Sequence, residues 1–226
     1  MINKDFKRRR DFLLGKIEDN SIVILFSGLE KSRNNDVNYK VRQSSNFFYL
    51  TGINNPSMLL IITKTGNRHS TTLVCDRPND IDKIWHGQLP SKSSYKNQFE
   101  IQNVLYFDEL RSLELNDAKN IYFEFADENR LNEFISNLNL SQPQSRYLRN
   151  NTSRSTKIDL SNLIFDMRRI KSKSEVSLIR HAAKISAKAH INIMKSCKSG
   201  LKEYEVEADF IKHCMSERCE QAYPAI

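Results

Sequence analysis

The chain has one tryptophan, four cysteines, five prolines and six glycines among 226 residues. Cys75, Cys197, Cys214 and Cys219 follow no disulfide-framework spacing, so reduced thiols are expected. The few glycines form no GxGxxG, Walker or GxSxG motif, which removes the usual sequence support for dinucleotide binding, a phosphate loop or a serine hydrolase elbow. No apolar run approaches the ~18 residues of a membrane helix. Met58 to Ile62 is among the longest. The basic start MINKDFKRRRDF has no apolar segment after it, unlike a secretory signal, and its Asp5 and Asp11 are unlike an organellar presequence. A cytoplasmic protein without membrane contact is expected. Acids are also in deficit, giving a net charge of +8. That balance allows nucleic-acid binding. The basic stretch 146–173 lacks the interleaved aromatics of single-strand binders, however, so no nucleic-acid partner is expected.

What is present is a globular composition, with 39% hydrophobic residues and enough length for a substantial core. Helix is expected from Phe6 to Leu14, stopping at Gly15. SIVILFSG, residues 21–28, reads as a buried strand, and the aromatic FFYLTG, residues 47–52, also reads as strand. MLLIITKTGNRHSTTLVCD, residues 58–76, predicts two strands joined by a turn over Lys64 to Arg68. NVLYF and NIYFEF predict two further strands, each followed by a helical pattern, with Asp127 as N-cap of the second. Strands alternating with helices indicate an α/β domain. Residues 141–157 read as loop, and 159–172 as a short helix with an exit segment.

A domain boundary is expected at 172/173. Beyond it, Leu178, Ala182, Ile185, Ala189 and Ile193 form an apolar stripe at helical spacing, which Gly200 closes. A second helix from about Lys202 carries Val206, Phe210, Ile211 and Cys214. Both apolar faces need a covering layer that residues up to 226 do not supply, so this second domain is expected to be incomplete.

His213, Cys214 and Cys219 are the one Cys/His cluster. Their spacing fits no common zinc pattern, so a buried cysteine beside a surface histidine is expected, with no metal. His181 and His190 are nine residues apart and share no ligand face. Trp85, in KIWHGQL, is read either as packing or as an exposed aromatic at a binding surface.

FKRRRDFLLGKI followed by SIVILFSG resembles the start of aminopeptidase P, the Xaa-Pro aminopeptidase family. YKVRQSSNFFYLTGINNPSMLLII, residues 39–62, resembles it more specifically through Tyr39, Arg42, Gln43, Phe47, Tyr49, Leu50, Thr51, Gly52 and Pro56. IWHGQL is similar to the family's Trp-x-Gly turn, and DMRRIKSKSEVSLIRHAAKISAKAH onward to the joint into its catalytic domain. Ser44 and Asn46 stand where acids are common in the family, Asn55 where Glu is common, and Gln88 where Arg is frequent.

The resemblance implies a mixed-sheet α/β domain over 1–172. After it, over 173–226, comes the incomplete start of an α+β pita-bread metallopeptidase domain. It implies a parent enzyme that removes the residue before a proline in second position, through two Mn²⁺ ions sharing a hydroxide. Two Asp, one His and two Glu hold those ions in the family. None of the five has a counterpart here, so no catalytic residue and no bound metal are expected in this chain, and no activity from it alone. Trp85 and Arg146 are the expected substrate-side residues, with Arg149 and Arg154 as competitors for the latter role. A homo-oligomer, dimer or tetramer, is implied. The alternative is a stand-alone oligomerisation or peptide-binding module without catalysis.

Overall fold

A computed structural model describes residues 2–79, 84, 87, 89–112, 118–141 and 155–223. They fall into two compact units, Met1–Arg169 and Ile170–Ile226.

The first unit begins with α1 (Ile2–Lys16), β1 (Ser21–Phe26), a short ribbon of β2 (Ser32–Asn34) and β3 (Val37–Asn38), and α2 (Ser45–Thr51). The hairpin β4 (Leu59–Thr65) and β5 (Arg68–Cys75) follows, then α3 (Lys92–Phe99) and β6 (Asn103–Tyr106). After a 3₁₀ turn at Phe107–Ser112 come β7 (Asn120–Phe123), α4 (Glu128–Ser141), β8 (Thr156–Asp159) and α5 (Ser161–Arg169).

Six strands form one mixed sheet in the order β6-β5-β4-β1-β7-β8. β4 runs antiparallel to both its neighbours, while β5–β6, β1–β7 and β7–β8 are parallel pairs. Burial of both faces explains the continuous apolar run of β1, because successive side chains alternate across a strand. Val23 and Leu25 enter one core, with Leu60, Ile62 and Leu73. Ile22, Ile24 and Phe26 enter the other, with Leu59, Ile61 and Val74. α1, α2, α3 and α5 cover the first face through Leu13, Phe47, Tyr95 and Ile164. α4 and the 3₁₀ turn cover the second through Leu131, Phe134 and Leu110.

Several expectations are corrected. FFYLTG is not a strand: it lies in α2. Ser44 accepts the Phe47 N–H as N-cap, and Gly52 closes the helix in the left-handed region at φ 73°. These two end signals outweigh the strand preference of the aromatics. α1 runs through Gly15 to Lys16. Leu13, Leu14 and Ile17 anchor its last turn in the core, which offsets the helix cost of one glycine. Residues 156–159 are strand β8 rather than loop, added at the sheet edge beside β7. The polar helix α3 and the exposed β2–β3 ribbon carry no apolar periodicity in the sequence.

The second unit consists of α6 (Lys173–Ser196) and α7 (Glu203–Ser216). Ser172 and Glu175 form a reciprocal capping box at the start of α6. Of the predicted stripe, Ile185 and Ala189 are buried and Ile193 is half-buried, while Leu178 and Ala182 stay exposed. Cys214 is buried, as its neighbours on α7 required. His213 is not a surface histidine: it is half-buried, and its Nε2 is enclosed without a hydrogen-bond partner among the described residues.

Candidate functional site

Five strands, β1, β5, β6, β7 and β8, end on one rim of the sheet. The β5–β6 crossover, α3, lies on one face, and the β7–β8 crossover, α4, on the other. Crossovers that leave to opposite faces open a crevice at the carboxyl ends of parallel strands, the usual ligand position in open α/β sheets.

Gln43 occupies the centre of this rim and is 5% exposed. Its Oε1 accepts from the N–H groups of Gly28 (2.6 Å) and Ser44 (2.8 Å). Its Nε2 donates to the carbonyls of Ile53 (3.2 Å) and Asn55 (2.8 Å). One amide thus ties the end of β1 to both ends of α2. Gly28 is required for the approach, since a Cβ there would lie 2.7 Å from the Arg42 carbonyl oxygen. Thr51 Oγ1 donates to the Phe47 carbonyl and accepts the Ile53 N–H. Most polar groups of the 42–52 signature are consumed in holding the chain.

Asn46 reaches further. Its Nδ2 donates to Glu124 Oε1 at 2.6 Å, and its Oδ1 accepts from Arg168 Nη1 at 2.6 Å. Glu124 follows the last residue of β7, and Arg168 sits in the last turn of α5. Burial pushes the Glu124 carboxyl above its usual range, the Asn46 bond opposes this, Asp127 and Asp159 add to it, and Arg168 opposes it. The arrangement orients an amide between a cation and a reluctant carboxylate. It supplies no nucleophile. Tyr49 reinforces the same contact by donating its hydroxyl to the Met167 carbonyl at 3.1 Å.

Among the described residues, two cavities open on the rim. One, of about 560 Å³, lies by Phe26, Leu110, Arg130 and Phe134. Its Arg130 donates to the Ser27 carbonyl and Asp127, over the Phe26 ring. The other, of about 380 Å³, lies by Pro56, Cys75, Asp76, Lys92, Tyr95 and Tyr106. Lys92 pairs with Glu109 and lies 4.0 Å from the Tyr106 ring centroid. Burial raises the Cys75 thiol to about 11, with Asp76 adding, so it stays protonated at neutral pH and is no nucleophile.

Trp85, Arg146, Arg149 and Arg154, the residues expected to meet substrate, lie outside the described residues. Among the described residues, no group of three or more His, Cys, Asp or Glu could hold a metal ion. Also among them, no helix is long and apolar enough to cross a membrane. Tyr95, Lys92 and Glu124 were missed in the sequence, since no motif or periodicity marks them. Asn46 was marked only as a departure from an acid.

The fold and the rim define a mixed-sheet α/β domain with helices on both faces. The family model described as "Aminopeptidase P, N-terminal domain" matches residues 6–122, more than half of the chain, and the chain belongs to that family. The Xaa-Pro aminopeptidase of Escherichia coli is 28% identical over 209 residues, which cover 91% of this chain and 47% of that protein. The Xaa-Pro dipeptidase of Homo sapiens is 29% identical over 202 residues, 88% of this chain and 39% of that protein. Among solved structures, proline aminopeptidase P II from Yersinia pestis matches with a TM-score of 0.84 and 27% identity, covering 96% of this chain and 50% of that one. Aminopeptidase P from Escherichia coli in its low-pH form matches with a TM-score of 0.86 and 25% identity, covering 95% and 50%. The chain spans about half the length of these aminopeptidases.

Proposed function

We propose that this chain is the N-terminal portion of a Xaa-Pro aminopeptidase, a metallopeptidase that releases the residue preceding a proline. The observation that supports this is the family match over 6–122 together with alignment to an Xaa-Pro aminopeptidase over 91% of the chain. In this reading the complete enzyme uses two Mn²⁺ ions as Lewis acid and source of hydroxide. The described residues offer no fit for such a pair, and the polar groups of the signature are already engaged in structural bonds. In this reading residues 1–226 alone are inactive, because the five ligands of the family have no counterpart in the sequence. Trp85 and Arg146 serve the substrate cleft of the complete enzyme, which works as a cytoplasmic homo-oligomer.

A second reading is a stand-alone binding module of the same fold. The two rim cavities favour it, because they exist within the first unit. One experiment tests the first reading: purified 1–226 is incubated with an Xaa-Pro peptide in Mn²⁺ buffer. No release of the first residue is expected. Turnover above the buffer blank, retained after further purification, would overturn the claim of inactivity.

A further inference from the structure

The end of α7 brings two cysteines together. The helix closes with a left-handed cap. Cys219 N–H donates to the Cys214 carbonyl at 2.9 Å, and inside that bond Arg218 N–H donates to the Met215 carbonyl at 3.0 Å. Arg218 takes the left-handed position at φ 57°. In such a cap the side chains of the two residues that close the outer hydrogen bond commonly lie in contact, a place for a pair of apolar residues. Here both are cysteines. Standard bond lengths around the 2.9 Å hydrogen bond hold the two Cα atoms no more than about 7 Å apart. That is within the limit for a disulfide made without backbone movement.

The two side chains also share one space. Cys214 and Cys219 both line a cavity of about 530 Å³, together with Ile185, His190 and Phe210. Cys214 is buried and Cys219 half-buried, and both thiols are free. Cys75 is buried in the core of the first unit, and Cys197 is exposed at the end of α6.

We propose that Cys214 and Cys219 form a redox-modification site, a dithiol that a low-molecular-weight disulfide converts into an intrachain disulfide across the end of α7. The Cys219 thiolate, the more accessible of the two, attacks one sulfur of glutathione disulfide. The S–S bond of the reagent breaks and one glutathione leaves as thiolate. The Cys214 thiolate then attacks the Cys219 sulfur and displaces the second glutathione. One S–S bond is broken and one formed. The two cysteines give up two electrons and two protons, and two molecules of glutathione carry them away. The product fixes the turn by which residues 220–223 leave α7. The site does not depend on the peptidase reading.

The test is equilibration of the 226-residue chain in glutathione buffers of stepped disulfide-to-thiol ratio, folded and in urea. Free thiols are then alkylated, and the chain is digested with trypsin without reduction. Cleavage after Lys212 and Arg218 separates the two cysteines, so the bond appears as HCMSER joined to CEQAYPAI. In the folded chain this joined pair is the expected main oxidised product. It should form at least about tenfold more readily than in urea, equivalent to a reduction potential about 30 mV lower. Cys214→Ser removes the resolving thiol, so Cys219 should remain as its mixed disulfide with glutathione. The proposal is overturned if the joined pair does not form in the folded chain. It is equally overturned if urea leaves its formation unchanged, since closeness along the chain would then suffice, or if Cys214→Ser clears its mixed disulfide as wild type does.

Discussion

Replacing Arg10 by methionine keeps the aliphatic stem and removes the guanidinium, which is 2% exposed together with the rest of its side chain. Its Nη1 donates to the Leu50 carbonyl at 2.8 Å, in the last turn of α2. Its Nη2 donates to the carbonyls of Phe99 (2.9 Å) and Glu100 (2.8 Å), at the end of α3. One side chain thus closes two helix C-termini, where orphan carbonyls and the negative dipole end both favour a cation. Burial lowers its pKa to about 10, so it stays charged at neutral pH. Bonds from a charged donor contribute about 1.5–3 kcal/mol each, and taking the low value for three gives a loss of about 4–5 kcal/mol. A domain has only about 5–15 kcal/mol in total, so Arg10→Met should leave the first unit close to unfolding. Arg10→Lys should recover part of the loss, because one ammonium cannot span two helix ends as a planar fork does. Urea titration followed by far-UV circular dichroism measures the loss. Native-state hydrogen exchange at β1 and β4 assigns it to the first unit. A change below about 1 kcal/mol would refute the reasoning, since water would then be replacing the guanidinium at those carbonyls.

Two further perturbations follow from local geometry. A Cβ on Gly52 would lie 2.2 Å from the Phe6 ring at a φ of 73°, so Gly52→Ala should cost about 2 kcal/mol or more. Gly15 has nothing within 4 Å of its virtual Cβ and lies inside α1, so Gly15→Ala should stabilise by about 0.5–1 kcal/mol. Thermal melts that move both variants in the same direction would contradict this. The third concerns pH. The folded state raises the Glu124 pKa, so this residue's contribution to stability is full below the ordinary carboxylate range and is lost as pH rises through the folded value. Glu124→Gln still offers Asn46 an acceptor, so it should flatten that slope and melt higher than wild type at neutral pH. A lower melting temperature with the slope intact would disprove the assignment.

The sheet was legible wherever both faces of a strand are buried, because runs such as SIVILF and MLLII have no other stable placement. FFYLTG was misread because aromatic content was weighed above its ends, where Ser44 and Gly52 decide for helix. α3 was missed because it buries little: Tyr95 lies in the core and Phe99 packs against it, while its remaining residues are polar. The Ser91 cap was the one signal available. β8 is too short for periodicity to register. The 42–52 signature was legible as a resemblance, but its physical content was not. The bonds of Gln43 to Gly28, Ile53 and Asn55 appear only once the chain has folded. The Asn46 relay joins residues 78 and 122 positions apart, beyond the reach of any local pattern.

Gln43 bears on how such chains are identified. Its amide oxygen accepts two bonds and its amide nitrogen donates two, leaving no donor for a ligand. The segment by which the family is recognised is therefore a scaffold mark, one that reports architecture. A sequence could lose every group that performs peptide hydrolysis and still carry this mark unchanged, because the forces that hold it are internal to the first unit. Membership of the family and possession of its chemistry are physically separable properties, and this segment testifies only to the first.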